Sequence, residues 1–265
     1  DLDDVNMIDP FHLEAYGETT VNYNRDVEIY PVLAAMMEKI VGSCPYKSPT
    51  DMGVNMAGNC IFDDKAVREA SCQEIIRRYY TALCEKRKGL VDDQVVYKLE
   101  LLMKQAGITT KDRIVVSPAL LKEEVTGMPA AALELPDGRI VTGRTSELLG
   151  PSAAVLLNAL KELGGIDDSV KLISPSIIEP IQKLKVGALG NKNPRLHTDE
   201  VLLALSICAA SDPRAQLAMD QLPRLRNCEA HSTVILSGVD EKIFRRLGVN
   251  ITYEPKYQTS KLYHV

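Results

Sequence analysis

There is no tryptophan in these 265 residues and there are only three phenylalanines. That argues against a platform of aromatic rings on which unpaired bases stack. Cations are in deficit as well: 31 Lys and Arg against 36 Asp and Glu give a net charge of −5. A broad nucleic-acid or anionic-membrane surface needs a sustained excess of Lys and Arg, so any anion site on this chain is a local one. No apolar run approaches the roughly eighteen residues of a membrane helix, and the amino end lacks the basic, apolar, small-residue order of a signal peptide. The six cysteines, at 44, 60, 72, 84, 208 and 228, form no C-x-x-C pair, and their spacing suits neither a zinc site nor a small disulfide scaffold. Reduced thiols in a cytoplasm fit best. No Gly-Lys-Ser or Gly-Lys-Thr of a Walker phosphate loop occurs either.

What remains is ordinary globular composition, 45% apolar and 25% charged, enough for one large or two modest domains. The chain opens Asp1-Leu2-Asp3-Asp4 without an initiator methionine and runs at once through dense, motif-like sequence, which reads as the carboxyl-terminal portion of a longer protein. Residues 1–110 read as mainly helical. A helix from Pro31 to Gly42, a longer one from Asp64 to Gly89 and a third capped by Asp92 and ended by Gly107 carry apolar stripes at helical spacing. From residue 111 to 265 short β-branched runs alternate with helices. Ile114–Ser117 reads as a strand, Ala130–Gly143 as a hairpin turning at Pro136-Asp137-Gly138, and Pro151 as the start of a helix. Strands at Lys171–Ser174, Ser232–Ser237 and Val249–Tyr253 and further helices complete an α/β domain with a mixed sheet and flanking helices.

The run from Gly187 to Asp199 is the most informative one. It sets Lys192, Asn193, Arg195 and His197 between two glycines and a helix start, with Thr198 or Asp199 as the cap. A helix start carries partial positive charge, so the run suits an anion; the same Asn and Pro residues also make ordinary solvated turns. Arg144, Thr145 and Ser146, with Gly150-Pro151-Ser152 after them, offer hydroxyls, a guanidinium and backbone N–H groups to a phosphate or carboxylate, or else form a plain hairpin exit. His231 and Ser232 stand at a strand start. There the histidine is either a general acid or base or a satisfied structural residue, and Cys228 reaches it only through a turn. Asn24 and Arg25, with Asp51 and Asn55, lie in two polar runs whose amides, hydroxyls and charges suit a polar small molecule or a subunit interface. Cys60 has no histidine near it in sequence to activate it, and reads as an ordinary thiol.

The hairpin and the elements after it resemble the cytidine-deaminase-like fold in their order over about fifty residues. The metal ligands of that fold are absent: Ser152-Ala153-Ala154 replaces the first metal triplet, and Ser176, Ile177, Ile178 and Glu179 come after Pro175 without either thiolate. A catalytic zinc needs three such ligands and a general-base Glu, so zinc deamination is disfavoured. Five motifs, Phe11–Gly17, Asn22–Glu28, Ser48–Met56, Asn193–Glu200 and Glu229–Thr233, resemble the bacterial domain-of-unknown-function family 1846 over the whole chain. Members of that family are about twice as long, with a glycine-rich, lysine-containing segment in the front half. The resemblance implies a nucleotide-linked α/β protein, ATP and magnesium as cofactors of the full-length form, and residues 1–110 completing an amino-terminal nucleotide-binding domain.

The sequence therefore points to the second-substrate half of a nucleotide- or phosphate-dependent transferase or ligase. Arg144, Lys192 and Arg195 hold a small anion in this reading, with Thr145, Ser146, Asn193 and Ser232 beside it. His197 or His231 moves a proton, and Asn24, Arg25, Asp51 and Asn55 orient a polar substrate or a magnesium-bound phosphate. The alternative is a deaminase-like scaffold without its metal, kept for ligand binding or for assembly, including as a homo-oligomer.

Overall fold

A computed structural model describes residues 26–44 and 64–258, and contacts divide the chain into two compact units, one ending at Arg113 and the other beginning at Ile114. The first holds α1 (Asp26–Val41), α2 (Asp64–Arg87) and α3 (Asp93–Ala106). Asp92 caps α3 by accepting from the N–H groups of Gln94 and Val95, and Gly107 closes it at φ +68. An aspartate cap of this kind contributes about 1 kcal/mol. α2 and α3 pack together, burying Ile76, Tyr80 and Cys84 on one and Val96, Leu99 and Met103 on the other.

The second unit is built on a four-stranded sheet in the order β2-β1-β3-β4: β1 is Ala130–Glu134, β2 Ile140–Arg144, β3 Glu229–Ser232 and β4 Asn250–Tyr253. β1 runs antiparallel to both β2 and β3, while β3 and β4 are parallel, so β2, β3 and β4 all point the same way. The hairpin turns at Gly138, whose φ of +82 a side chain would oppose. α4 (Val116–Thr126) covers one face of the sheet, packing Val115 and Ala119 on Ala132. α5 (Pro151–Leu163) covers the other, with Val155, Leu156, Ala159 and Leu160 fully buried beside Ala131 and Leu133. α5 comes very close at Gly143, where a Cβ would stand 2.7 Å from the Ala154 carbonyl carbon and from the Val155 Cα. α6 (Pro175–Lys183) continues into a π-helical turn, Leu184–Ala188. The chain then passes through α7 (Thr198–Ala209), α8 (Pro213–Met219), β3, α9 (Gly238–Arg246) and β4.

Three expected strands come out differently. Ile114–Ser117 is a turn and the start of α4: Val115 and Val116 are buried, and Pro118 falls in the first helical turn, where a missing N–H costs nothing. Lys171–Ser174 is a bend. It buries Leu172 and Ile173 in the core without pairing, and Ser174 caps α6. That bend stands where the deaminase-like order has its next strand, so the order is not confirmed here. β3 lies at 229–232 instead of 232–237. Its partner β1 begins at Ala130, behind Pro129, which has no N–H to extend the ladder. Among the described residues no helix is long and apolar enough to cross a membrane.

Candidate functional site

Because β2, β3 and β4 share a direction, their carboxyl ends open on one rim, and in open α/β sheets ligands gather outside such ends. A small, partly open cleft lies there. Its walls come after each strand in turn: Gly150, Pro151 and Ser152 after β2, Val234 to Ser237 and Asp240 after β3, and Gln258 after β4. Asn193, Arg195 and His197, from the loop before α7, close it. The loops are tied by a short bridge between Leu149 and Leu196 and by the Leu196 N–H donating to the Leu148 carbonyl at 2.9 Å.

His197 is the N-cap of α7, and its Nδ1 lies 3.1 Å from Asp240 Oδ2 and 3.3 Å from Ser237 Oγ. Asp240 is 8% exposed and satisfied on both oxygens: Oδ1 accepts from the Thr198 N–H at 2.9 Å and the Thr198 hydroxyl at 3.0 Å, and Oδ2 accepts from the Ser237 hydroxyl at 2.7 Å. Burial alone would raise the Asp240 carboxyl. The hydrogen bonds from His197, Ser237 and the Thr198 backbone outweigh it and hold the group below its usual range. The bond to Asp240 in turn raises His197, with burial opposing.

Serine, histidine and aspartate meet here without the geometry of a nucleophilic triad, in which hydroxyl and carboxylate take opposite ring nitrogens. Both approach Nδ1, and the Ser237 proton goes to Asp240. Ser237 is thus a brace, which also caps α9 by accepting from the Asp240 N–H. Nε2 of His197 has no partner among the described residues. An imidazole fixed at Nδ1 by a carboxylate, with Nε2 available, can deliver or take a proton.

Arg195 is held by its stem. Nε donates to the Ser146 carbonyl at 2.7 Å and the backbone N–H to Asn193 Oδ1 at 3.1 Å, which leaves the terminal guanidinium nitrogens without partners among the described residues. Beneath it the Lys185 ammonium, 3% exposed, donates to the Arg195 carbonyl at 2.7 Å and to Glu200 Oε2 at 2.6 Å. Glu200 also accepts from the His197 N–H at 2.8 Å. One partly buried ion pair therefore fixes both residues from behind, and Lys185 reaches it from the π-helical turn, a distortion often found at functional sites.

The structure gathers only some of the residues that the sequence singled out. Asn193, Arg195 and His197 line the cleft; Lys192 is exposed and does not, and Arg144 is exposed, donating to the Thr145 carbonyl at 3.4 Å. Thr145 and Ser146 support the cleft from outside, Thr145 by accepting from Gln258 and Ser146 through its carbonyl to Arg195. His231 is fully buried, with Nδ1 2.9 Å from Thr252 Oγ1 and Nε2 3.2 Å from Glu254 Oε1, so both ring nitrogens are engaged and neither faces the cleft. Ser232 is turned onto the backbone of Val234. Cys228 is buried, and burial, then the Glu134 and Glu229 carboxylates, push its thiol up to about 11, which disfavours the thiolate. Asn24, Arg25, Asp51, Asn55 and Cys60 lie outside the described residues.

The expected cap of α7 is also corrected. His197 holds that place, and the Thr198 N–H in the first turn is taken by Asp240. Sequence reasoning missed Asp240, Ser237, Lys185, Glu200 and Gln258. The signal for two of them was present, since Ser237-x-x-Asp240 at the start of an amphipathic helix is a capping pattern. Among the described residues no group of three His, Cys, Asp or Glu side chains is placed to hold a metal ion.

Comparison with known proteins sets this site in a family. Residues 1–107 match the description "Domain of unknown function DUF1846, N-terminal" and residues 111–263 match "Domain of unknown function DUF1846, C-terminal". A UPF0371 protein of Corynebacterium efficiens is 59% identical over 263 residues, which is 99% of this chain and 53% of that protein. UPF0371 proteins of Streptococcus thermophilus and Streptococcus pneumoniae are 57% and 56% identical over the same length, with the same coverage. The chain spans about half the length of these relatives, and it takes in sequence matched by both domain descriptions, so the expected label of a carboxyl-terminal portion is only partly right. The chain belongs to the DUF1846 family.

Proposed function

We propose that this DUF1846 member carries, on the rim of its sheet, the substrate pocket of an enzyme that acts on a small anionic molecule. Arg195 holds the negative charge and His197 moves the proton. The observation that supports this most is the pairing of His197 Nδ1 with buried Asp240 beside a guanidinium fixed only at its stem. The carboxylate orients the ring and favours the imidazolium, so His197 can give a proton through Nε2 and take one back. Arg195 places charge where an anionic group neutralises it. Lys185 and Glu200 position both without touching substrate.

The nucleotide side of the reading rests on the family resemblance. In it, ATP and magnesium belong to the full-length protein, with residues 1–110 completing a nucleotide-binding domain and the cleft serving the second substrate of a transferase or ligase. The test is a thermal-shift panel of nucleotides, phosphosugars and carboxylates on the full chain. Ligands that stabilise the parent should lose that effect in Arg195→Ala and keep it in Lys192→Ala; an unchanged response in Arg195→Ala removes Arg195 from the site.

A second reading, a ligand-binding or assembly domain without turnover, is favoured by one observation. Ser237, the hydroxyl nearest His197, is spent on Asp240 and supplies no nucleophile. In that case the panel's best ligand saturates the protein, yet nothing is converted in the presence of ATP and magnesium.

A further inference from the structure

We propose that the first turn of α5 seats an oxyanion of the substrate, a carboxylate or phosphate group, with the Ser152 hydroxyl and the N–H groups of Ser152 and Ala153 as its donors. This rests on the cleft being a substrate pocket, and it names what the pocket takes.

Three helices begin at the cleft, and two of them are closed by the protein itself. The Thr198 N–H at the start of α7 goes to Asp240, and the Asp240 N–H in α9 goes to Ser237. α5, thirteen residues long, begins differently. Its cap, Gly150, has no side chain to offer, and Pro151 at the first position has no N–H. The Ala154 N–H already donates to the Gly150 carbonyl at 3.0 Å. The N–H groups of Ser152 and Ala153 therefore have no acceptor among the described residues, at the end of the helix where partial positive charge collects.

An independent observation comes from the Ser152 side chain. Ser152 is 2% exposed and lines the cleft, and its Oγ is buried with no hydrogen-bond partner among the described residues. Buried hydroxyls are nearly always paired, and one left unpaired asks for a missing partner. An acceptor is what suits this one, because its neighbours are donors. The charge balance points the same way. Asp240 is paired with His197 and Glu200 with Lys185, which among the described residues leaves the Arg195 guanidinium as the unpaired charge on the cleft walls. An oxyanion bound by hydroxyl, two N–H groups and a guanidinium is satisfied on several lone pairs at once.

The test titrates the full chain with sodium acetate and, separately, with inorganic phosphate at constant ionic strength, reading the amide shifts of Ser152 and Ala153 by NMR. Movement of both amides by acetate alone assigns the seat to a carboxylate; movement by phosphate alone assigns it to a phosphate group. Ser152→Ala, which keeps the helix, should weaken the effective anion about tenfold, the loss expected for one hydrogen bond to a charged group. Ser152→Asp carries its own carboxylate at the seat, so its two amides should be shifted in the absence of any anion and should respond no further. The proposal is overturned if neither anion moves these amides in the parent, or if Ser152→Asp responds as the parent does. Shifts confined to the Arg195 Nε and His197 ring signals would sink the seat and spare the pocket, whereas a cleft silent to both anions would sink the two together.

Discussion

Replacing Asp240 by Ala should remove the one acceptor that four donors share. Thr198 N–H, Thr198 Oγ and Ser237 Oγ would be left in buried surroundings without partners, and His197 Nδ1 would lose its carboxylate. An unsatisfied buried group costs about 1–3 kcal/mol. The three donors are neighbours and their losses overlap, so the expected destabilisation is about 3–5 kcal/mol, the range for breaking a buried ion pair from one side. Asp240→Asn keeps the volume and one carbonyl oxygen for Thr198, and should cost about 1–2 kcal/mol. The two variants also differ from the parent in pH dependence. His197 is raised by folding, so its contribution is complete below about pH 6.5 and is lost as pH rises through the folded value. Asp240 is lowered by folding, so its contribution is complete above about pH 3.9 and is lost as pH falls through the folded value. The pair therefore stabilises fully from about pH 4 to about pH 6.5, and its alkaline limb reports the histidine. Urea unfolding across pH 5 to 9, with the His197 ring tracked by NMR, measures both. In Asp240→Asn the His197 titration should move to lower pH and the alkaline limb should flatten. A ring that titrates as in the parent, or a loss below about 1 kcal/mol in Asp240→Ala, would refute the pairing.

Other consequences can be checked with single variants. Lys185→Met should destabilise by roughly 2–4 kcal/mol through the orphaned Glu200, and it should weaken anion binding without touching the ligand, as calorimetric titration will show. Gly143→Ala drives a methyl group into the backbone of α5, so a loss of at least about 2 kcal/mol is expected; a melting temperature within a degree of the parent contradicts the contact. His231→Gln should lower stability and leave anion affinity alone, since both of its ring nitrogens face the interior; a tenfold loss of affinity would return it to the site. Cys228, with its thiol near 11, should stay unmodified by a disulfide reagent at pH 8 for as long as the chain is folded.

How much of this was legible in the sequence depends on whether the deciding interaction was local. The α3 boundaries were readable because Asp92 and Gly107 act on their own helix, and the hairpin was readable because Pro136-Asp137-Gly138 makes its own turn. The short β-branched runs at 114–117 and 171–174 were misread because four residues do not contain the information that separates a paired strand from a buried bend; packing against α4's neighbours and the core decides it. In the site, His197 and Arg195 stood out through their charge and their place before a helix. Asp240 lies 43 residues further on, and its role exists only once α9 starts beside α7. Arg144 and Lys192 had the same chemistry as Arg195, and only the chain path, anchored by Leu196 to Leu148, selects one guanidinium out of three cations.

In the proposed substrate pocket, the close approach at Gly143 bears on selectivity. A helix pressed backbone to backbone against its sheet has no room to recoil, so the α5 side of the cleft is a fixed gauge. In the proposed pocket, accommodation of ligands of different size then falls to the 193–197 loop, which is held by the Lys185 ammonium together with the Leu149–Leu196 bridge and the Arg195–Ser146 hydrogen bond. Relatives that alter the partner of that ammonium are the ones in which a change of ligand dimensions is to be expected.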